Sequence, residues 1–199
     1  MARMARVVVA GEPHHVTHRG NLRADVFLSQ AERECYIRLL SQCASAAGLE
    51  IWAWCLMTNH VHLLVVPRNK DSLRRGVGLA HQRYAAVINE QHGWTGHLWA
   101  NRFYSTPLDT LHLWHAVKYV ELNPVRAGLV GRAEEYEWSS ARAHAGLTTS
   151  DPLLTPGGPF PGGISDWAYW LAEGLEEEVY QRIRRCTYTG RPCGSSEFV

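Results

Sequence analysis

Apolar positions divide the first two thirds of the chain into short runs and longer periodic stretches. Four short runs are rich in β-branched and aromatic residues and are bounded by Gly, Pro or Asn, as β-strands are. Three longer stretches repeat apolar residues every three or four positions, as amphipathic helices do. The predicted strands are 14–19, 50–57, 60–66 and 102–106, and the predicted helices are 29–47, 72–92 and 110–122.

The order of these elements, β-α-β-β-α-β-α, predicts an α+β fold. We expect a ferredoxin-like βαββαβ antiparallel sheet with both long helices on one face. The strand at 60–66 would then be internal, and one of its faces would meet the third helix. A C-terminal helical extension follows.

The pattern becomes less regular after the third helix. Pro124 disfavours helical geometry at Asn123, so we expect the helix to fray there. We divide the chain into a main domain, 1–145, and a C-terminal part, 146–199, that packs on it or clamps it. Within the C-terminal part, composition and periodicity predict a linker or draped loop, an amphipathic helix and an irregular tail, at 148–163, 166–185 and 187–195.

Composition excludes several classes of protein. The chain has 199 residues, 46% hydrophobic and 20% charged, which suits a globular domain with an extension. No apolar run reaches the roughly 18 residues of a membrane span, and the N-terminus lacks a signal-peptide core, so we expect a cytoplasmic protein. Five cysteines without a CxxC pair favour neither a disulfide framework nor a zinc finger. A net charge of +1 is not typical of a protein that coats duplex DNA, although a local basic groove remains compatible with it.

A His-Val-His triplet begins the third predicted strand. Because side chains alternate between the faces of a strand, His60 and His62 point the same way and Val61 points to the opposite layer. Two imidazoles about 6–7 Å apart along one face can share a metal ion. The alternative is a pair of ordinary strand histidines. A metal is favoured because buried polar groups need a partner, and one ion satisfies both.

The third predicted helix carries a polar face. His112, His115, Tyr119 and Asn123 recur at spacings of three and four, which places them on one side of the helix. Tyr119 and Asn123 are one turn apart, so an amide lies beside a phenol. Taken alone, these polar residues are explained by an amphipathic helix whose polar face is solvated. Its position after a βαββαβ core that carries His-x-His favours a functional site.

These residues together resemble the HUH single-strand nuclease superfamily, in its single-tyrosine transposase branch. The sequence is more similar still to the REP-associated tyrosine transposases. The resemblance runs from about residue 7 to the end, and its most specific part is the block that starts at Tyr119. The matching segments are His15-Val16-Thr17-x-Arg19-Gly20, Leu98-Trp99-x-x-Arg102-Phe103, the block Tyr119 to Val130, Trp138-Ser139-Ser140, and Thr189-Gly190-Arg191-Pro192-x-Gly194-Ser195.

The resemblance implies a metal-dependent enzyme that cuts and rejoins single-stranded DNA. It implies that His60 and His62 bind the metal, Mg²⁺ or Mn²⁺, with Asn123 as third ligand, and that Tyr119 is the nucleophile. Attack by Tyr119 on a phosphate would give a 5′-phosphotyrosine and a free 3′-hydroxyl, so the strand can be resealed. The implied substrates are hairpins of repetitive extragenic palindromes. The protein would act as a monomer or a homodimer.

Eight tyrosines compete for the role of nucleophile. Tyr104, on the fourth predicted strand, is the main rival of Tyr119. Tyr169 and Tyr180 lie beyond the predicted linker, where the geometry of attack would be hard to hold within about 0.5 Å.

The candidate DNA contacts are arginines for phosphates and tryptophans that stack on bases. For each of them, surface charge or a core aromatic is the alternative interpretation. They are Arg19, Arg23, Arg102, Arg126 and Arg142, with Trp99 and Trp138. The sequence does not decide the roles of two histidines. These are His18, at a position where many relatives carry an amide, and His115, one turn before Tyr119.

Two other functions fit parts of the pattern. A replication-initiator or relaxase-type HUH endonuclease shares the chemistry but is normally a larger chain with a helicase or a second tyrosine. A non-catalytic nucleic-acid-binding module uses a sheet of this topology to bind RNA through aromatic side chains. The strand here carries histidines where such a module would carry aromatics, which disfavours it. Metal-dependent cleavage of single-stranded DNA would separate an enzyme from a binder.

Overall fold

The protein is described by a computed structural model that covers residues 6–156, 164–196 and 198. Within those residues the chain forms four strands and seven α-helices. The strands are β1 His14–Arg19, β2 Leu49–Met57, β3 His60–Pro67 and β4 Tyr104–Pro107. The helices are α1 Gln30–Ala47, α2 Leu79–His92, α3 Thr110–Glu121, α4 Asn123–Arg126, α5 Ala141–His144, α6 Trp167–Ala172 and α7 Glu177–Thr189. A π-helical turn, Arg74–Gly78, leads into α2.

The four strands form one antiparallel sheet in the order β2-β3-β1-β4. Both β1 and β3 are internal, and the register places Thr17 opposite His62 on one side and Tyr104 on the other. This strand order is that of the ferredoxin-like fold. The predicted α+β class and the internal position of the His-x-His strand are therefore confirmed.

One face of the sheet is covered by α1 and α2, which also pack against each other. The side chain of Ser29 caps α1 by accepting a hydrogen bond from the Glu32 amide, and Gly48 ends the helix at a φ of +59°. Tyr36 of α1 and Leu63 of β3 are buried in the core of this layer. The two long helices thus share a face, as predicted.

The other face of the sheet is covered by α3, α6 and α7. Asp109 caps α3 by accepting a hydrogen bond from the amide of His112. Glu121 at the end of α3 is fully buried and accepts a hydrogen bond of 2.8 Å from the indole of Trp167 in α6. The C-terminal helices are therefore part of the layer that covers Leu64 and the histidines of β3.

The single helix predicted for 166–185 is wrong, because the chain forms two helices there. Gly174 separates them, and its φ of +76° lies in the left-handed region that ends helices. The second helix, α7, continues to Thr189, so the first residues of the predicted irregular tail are helical as well.

The chain also stays helical beyond α3, where fraying was expected. Leu122 separates α3 from α4 with φ and ψ of −84° and −3°, and Asn123 begins α4. Pro124 lies in the first turn of α4, where its missing N–H removes no helical hydrogen bond.

The segment predicted as a linker, 148–163, is described only as far as Pro156, and 157–163 lie outside the described residues. Its described part lies alongside β2. Thr155 exchanges hydrogen bonds of 2.9 Å with the backbone of Ile51, and Leu153 is buried. It thereby covers the edge of the sheet. Residues 1–5, part of the N-terminus searched for a signal peptide, also lie outside the described residues. The domain boundary near residue 145 stays a prediction.

No helix in the described part of the chain combines the length and the apolar character that a membrane crossing requires.

Candidate active site

His60 and His62 lie at the start of β3, on the face covered by α3 and α7. Their ring centroids are 4.9 Å apart and their planes are inclined by 81°. On the neighbouring strand Arg19 stands opposite His60, and Thr17 stands opposite His62. The strand periodicity therefore brings the two imidazoles together, with an arginine beside them.

One side-chain amide orients the ring of His60. Nδ1 of His60 is 2.6 Å from Oδ1 of Asn59, while Nδ2 of Asn59 donates to the carbonyl of Arg23 at 3.1 Å. Because an amide oxygen only accepts, Nδ1 of His60 carries the proton and Nε2 keeps its lone pair. Asn59 also connects His60 to a strained turn, in which Leu22 and Arg23 have φ of +54° and +64°.

His15 holds the ring of His62, and Thr187 in turn holds the ring of His15; the sequence did not predict a role for either at the site. Nε2 of His15 is 3.0 Å from Nδ1 of His62, and Nδ1 of His15 is 2.8 Å from Oγ1 of Thr187 in α7. The rings of His15 and His62 also stack, with centroids 5.2 Å apart and planes inclined by 9°. His15 belongs to a motif of the family resemblance, but Thr187 is 172 residues away and carries no signal in the sequence.

Burial keeps these imidazoles neutral near pH 7. It lowers the pKa of His15 to about 3 and that of His60 to about 4, and the positive charge of Arg19 lowers the latter further. Burial is the main cause that holds the pKa of His62 well below its ordinary value. The neighbouring His60, His15 and Arg19 lower this pKa further. A neutral imidazole has the lone pair that a metal ion binds.

Tyr119 projects from α3 between the histidines. Its ring meets His15 and His62 edge-on, with centroid distances of 5.1 Å and 5.5 Å, and the residue is only 5% exposed. Burial raises the pKa of Tyr119, and the neighbouring phenol of Tyr180 raises it further, while Arg184 acts in the opposite direction.

Tyr180, which lies beyond the predicted linker, also lies at the site. Its ring stacks on Tyr119 with centroids 4.7 Å apart. The guanidinium of Arg126 lies 3.7 Å from the centroid of the Tyr180 ring and forms an ion pair of 3.0 Å with Glu177. These contacts hold α7 against α3 and α4.

Asn123 lies one turn after Tyr119 at the start of α4. Its Nδ2 donates a hydrogen bond of 2.7 Å to the backbone carbonyl of Tyr119. Since the nitrogen is engaged in this way, a metal ligand from Asn123 would have to be its oxygen, Oδ1. The role of third ligand stays a prediction.

His18 and His115, whose roles the sequence leaves open, have different surroundings. His18 faces the α1–α2 layer, where its Nδ1 is 2.7 Å from Nδ1 of His81, so β1 separates it from His62. His115 meets His112 edge-on at 5.9 Å, and its buried Nδ1 has no hydrogen-bond partner among the described residues.

Three of the arginines predicted as phosphate contacts remain candidates for that role. Arg19 lies beside His60, and its Nε is buried without a hydrogen-bond partner among the described residues. Arg23 is exposed on the strained turn, and Arg102 is exposed just before β4. Arg126 differs from these, because it holds Tyr180 and Glu177.

The remaining candidates lie away from the histidine face. Trp99 is 7% exposed and stacks on His18 and His81 in the α1–α2 layer, so base stacking on it has no support in the structure. Trp138 and Arg142 line a groove of about 950 Å³ that is also bordered by residues of α1.

The ligands predicted for a divalent metal are two imidazoles and an amide oxygen. The hydrogen bond of His60 to Asn59 leaves Nε2 unprotonated, which is the state that a metal requires. Within the described residues, no group of three or more His, Cys, Asp or Glu side chains is placed to hold a metal ion. Two imidazoles, an amide oxygen and oxygens from phosphate or water form a ligand set compatible with Mg²⁺, Mn²⁺ or Zn²⁺.

Comparison with known proteins identifies the family. A family model described as IS200-like transposase matches residues 11–123, more than half of the chain. The chain belongs to the IS200-like transposases. A solved REP-associated tyrosine transposase bound to a REP hairpin is similar to this transposase in fold, with a TM-score of 0.63 and 18% identity, over 78% of this chain and 92% of that chain. A crystal structure from Deinococcus radiodurans R1, provisionally assigned as a transposase, has 21% identity and a TM-score of 0.42, over 60% of this chain and 96% of that chain. The search of curated proteins found no match.

Membership of this family confirms the prediction of a transposase over that of a non-catalytic binding module. The matched segment contains His60, His62 and Tyr119 and ends at Asn123. The helix α7 of this transposase, which contributes Thr187 and Tyr180 to the site, lies outside the matched segment.

Proposed function

We propose that this transposase cleaves and rejoins single-stranded DNA at hairpins of repetitive palindromic elements, through a 5′-phosphotyrosine on Tyr119. The observation that carries the proposal is the meeting of Tyr119 with His62, ring centroids 5.5 Å apart, beside His60. The motifs of REP-associated transposases in the sequence support the choice of substrate. The similarity in fold to a transposase solved with a REP hairpin supports it as well.

His60 and His62 are the proposed metal ligands, with Oδ1 of Asn123 as the third and Mg²⁺ or Mn²⁺ as the ion. When bound, a divalent cation polarises the scissile phosphate and orients it for in-line attack. Three protein ligands leave room for phosphate oxygens and water, which these ions commonly keep. Arg19, beside His60, is the proposed contact for the adjacent phosphate, and Arg23 and Arg102 extend this basic rim.

Tyr119 supplies the nucleophile. Its Oη forms a bond to phosphorus while the bond from phosphorus to the 3′-oxygen breaks. The phenol loses its proton, and the 3′-oxygen leaves as a hydroxyl. Burial raises the pKa of Tyr119, so the reaction depends on positive charge near the phenol, and Arg184 is one source of it. The ring of Tyr180 stacks on that of Tyr119, so a second phenol borders the nucleophile.

One nucleophilic tyrosine serves two chemical steps. Either cleavage and joining alternate in a monomer, or two protomers each use their own Tyr119. The same phosphotyrosine conserves the bond energy for resealing in both cases. Sedimentation of the protein with and without hairpin DNA distinguishes the two arrangements. The proposed site of action is the cytoplasm, because the proposed substrate is bacterial chromosomal DNA.

The experiment uses labelled hairpins taken from palindromes that flank the gene, each with its single-stranded flank. We expect cleavage with Mn²⁺ or Mg²⁺ and none with EDTA, together with a protein–DNA adduct on a denaturing gel. Cleavage that needs no metal and leaves no adduct would contradict the proposal. Tight hairpin binding without any cleavage under these conditions would contradict it too.

A further inference from the structure

A chain of buried hydrogen bonds runs from α7 to His62. Oγ1 of Thr187 is 2.8 Å from the carbonyl oxygen of Ile183 and 2.8 Å from Nδ1 of His15. Nε2 of His15 is 3.0 Å from Nδ1 of His62. Thr187, His15 and His62 are all buried, so water does not compete for these contacts.

Two arrangements of protons are compatible with neutral rings in this chain. In the first, the hydroxyl of Thr187 donates to Ile183, His15 donates from Nδ1 to Thr187, and His62 donates from Nδ1 to His15. His62 is then unprotonated at Nε2. In the second, the hydroxyl donates to Nδ1 of His15 and His15 donates from Nε2 to His62. His62 is then protonated at Nε2.

The contact between Thr187 and Ile183 decides between these arrangements. In the second arrangement, Oγ1 and the carbonyl oxygen would face each other at 2.8 Å with no proton between them. Two lone-pair-bearing oxygens repel at that distance, and neither is compensated by solvent in a buried site. In the first arrangement each contact has one donor and one acceptor.

We propose that His15 and Thr187 are positioning residues that hold His62 protonated at Nδ1, so that Nε2 presents its lone pair to the metal. The inference rests on the proposed function of His62 as a metal ligand. It extends the metal site to α7, outside the segment that the family model matches. Asn59 performs the same task for His60 from a neighbouring position in the chain.

Replacement of Thr187 by valine tests this directly, because valine keeps the shape of the side chain and removes the acceptor. Nδ1 of His15 would then hold a buried N–H without an acceptor, so His15 moves its proton to Nε2 and donates it to His62. His62 is forced to the tautomer that is protonated at Nε2. Partners of this kind contribute roughly 10–100-fold to metal affinity, and we expect a loss in that range.

The measurement combines nitrogen NMR with metal titration on the full-length protein. Long-range proton–nitrogen correlation spectra of the metal-free protein report which nitrogen of His62 is protonated, and calorimetric titration with Mn²⁺ reports affinity. Thr187→Ser keeps the hydroxyl and should match the wild type. Thr189→Val is the matched control, because Thr189 is exposed on the same helix and, among the described residues, its hydroxyl bonds to backbone carbonyls of its own helix.

The wild-type spectrum keeps the inference testable even if Thr187→Val fails to fold. A wild-type His62 protonated at Nε2 would overturn the inference. A folded Thr187→Val protein with an unchanged His62 tautomer and unchanged Mn²⁺ affinity would overturn it as well. If His62→Ala bound Mn²⁺ normally while the wild-type tautomer was as stated, the ligand assignment in the proposed function would fail instead.

Discussion

The ring of Tyr180 stacks on the ring of Tyr119, with centroids 4.7 Å apart and planes inclined by 25°. Two phenols from distant parts of the chain therefore share the face that carries His60 and His62. A nucleophile assigned by family resemblance alone must be tested against this neighbour as well as against Tyr104 on β4, which pairs with Thr17.

We expect Tyr119→Phe to abolish cleavage and the covalent adduct, a loss of at least about 10³-fold, since removal of a nucleophile has effects of that size or more. Binding of hairpin DNA should survive, because the substitution removes one oxygen and leaves the ring contacts with His15 and His62. The measurements are an adduct gel and a binding titration on the same labelled hairpin.

Tyr180→Phe and Tyr104→Phe are the matched controls, and both should still form the adduct. An adduct that persists in Tyr119→Phe and disappears in Tyr180→Phe would transfer the nucleophile to α7. Peptide mapping of the adduct identifies the attached tyrosine directly.

The sequence predicts those parts of the site that depend on residues close together in the chain. It does not predict contacts that form only when distant elements pack together. His60 and His62 share a face because strands have a period of two, and the cap residues Ser29 and Asp109 accept hydrogen bonds from backbone amides only three positions further on. Thr187 meets His15 only because α7 folds back onto the sheet. Periodicity shows which face of α7 is apolar, but it carries no information on which strand that face meets.

Trp99 illustrates the same limit for an aromatic residue. A tryptophan three residues before an arginine, in the segment that leads into β4, is a reasonable candidate for base stacking. The structure instead surrounds it with His18 and His81, and its indole donates a hydrogen bond of 3.0 Å to the carbonyl of His81. Tertiary packing decides whether a tryptophan is buried in the core or exposed for binding, and the sequence alone does not show which.

His60→Ala and His62→Ala should each abolish cleavage while the protein keeps its fold. Each variant removes one proposed imidazole ligand, so Mn²⁺ affinity should fall together with the cleavage rate. His97→Ala, at an exposed histidine of the loop after α2, serves as control and should behave as wild type. Circular dichroism checks the fold. Cleavage at the wild-type rate by either variant, with the same metal, would show that the site is assigned wrongly.

A hairpin with a single-stranded flank should be cut in preference to a perfect duplex of the same sequence. The scissile phosphate has to reach His60 and Tyr119 on the covered face of the sheet, and a stacked duplex holds it away from that face. Initial rates on the two substrates, at equal concentration and in the same metal, measure the preference. Equal rates on the hairpin and the blunt duplex would count against a single-strand nuclease.

His14 links stability to pH from the face of β1 opposite to the one that carries His15. Its Nδ1 donates to the carbonyl of Glu12 at 2.8 Å, and its Nε2 accepts the amide proton of Val9 at 3.2 Å. A proton added at Nε2 would face that amide proton. Burial lowers the pKa of His14 to about 4, although the bond to Glu12 opposes the shift, and burial lowers the pKa of His18 to about 4 as well.

The metal-free protein should therefore lose stability as the pH falls from 6.5 towards 4. The folded-state pKa lies below the unfolded value of about 6.5, so the unfolded state binds protons first and stability is complete only above pH 6.5. His14 alone contributes on the order of 3 kcal/mol across this window. Urea unfolding at pH 7.5, 6.5, 5.5 and 4.5 measures the slope, which should be smaller in His14→Gln and unchanged in His97→Gln. A free energy of unfolding that stays constant or rises between pH 6.5 and 4.5 would show that the buried histidines titrate normally.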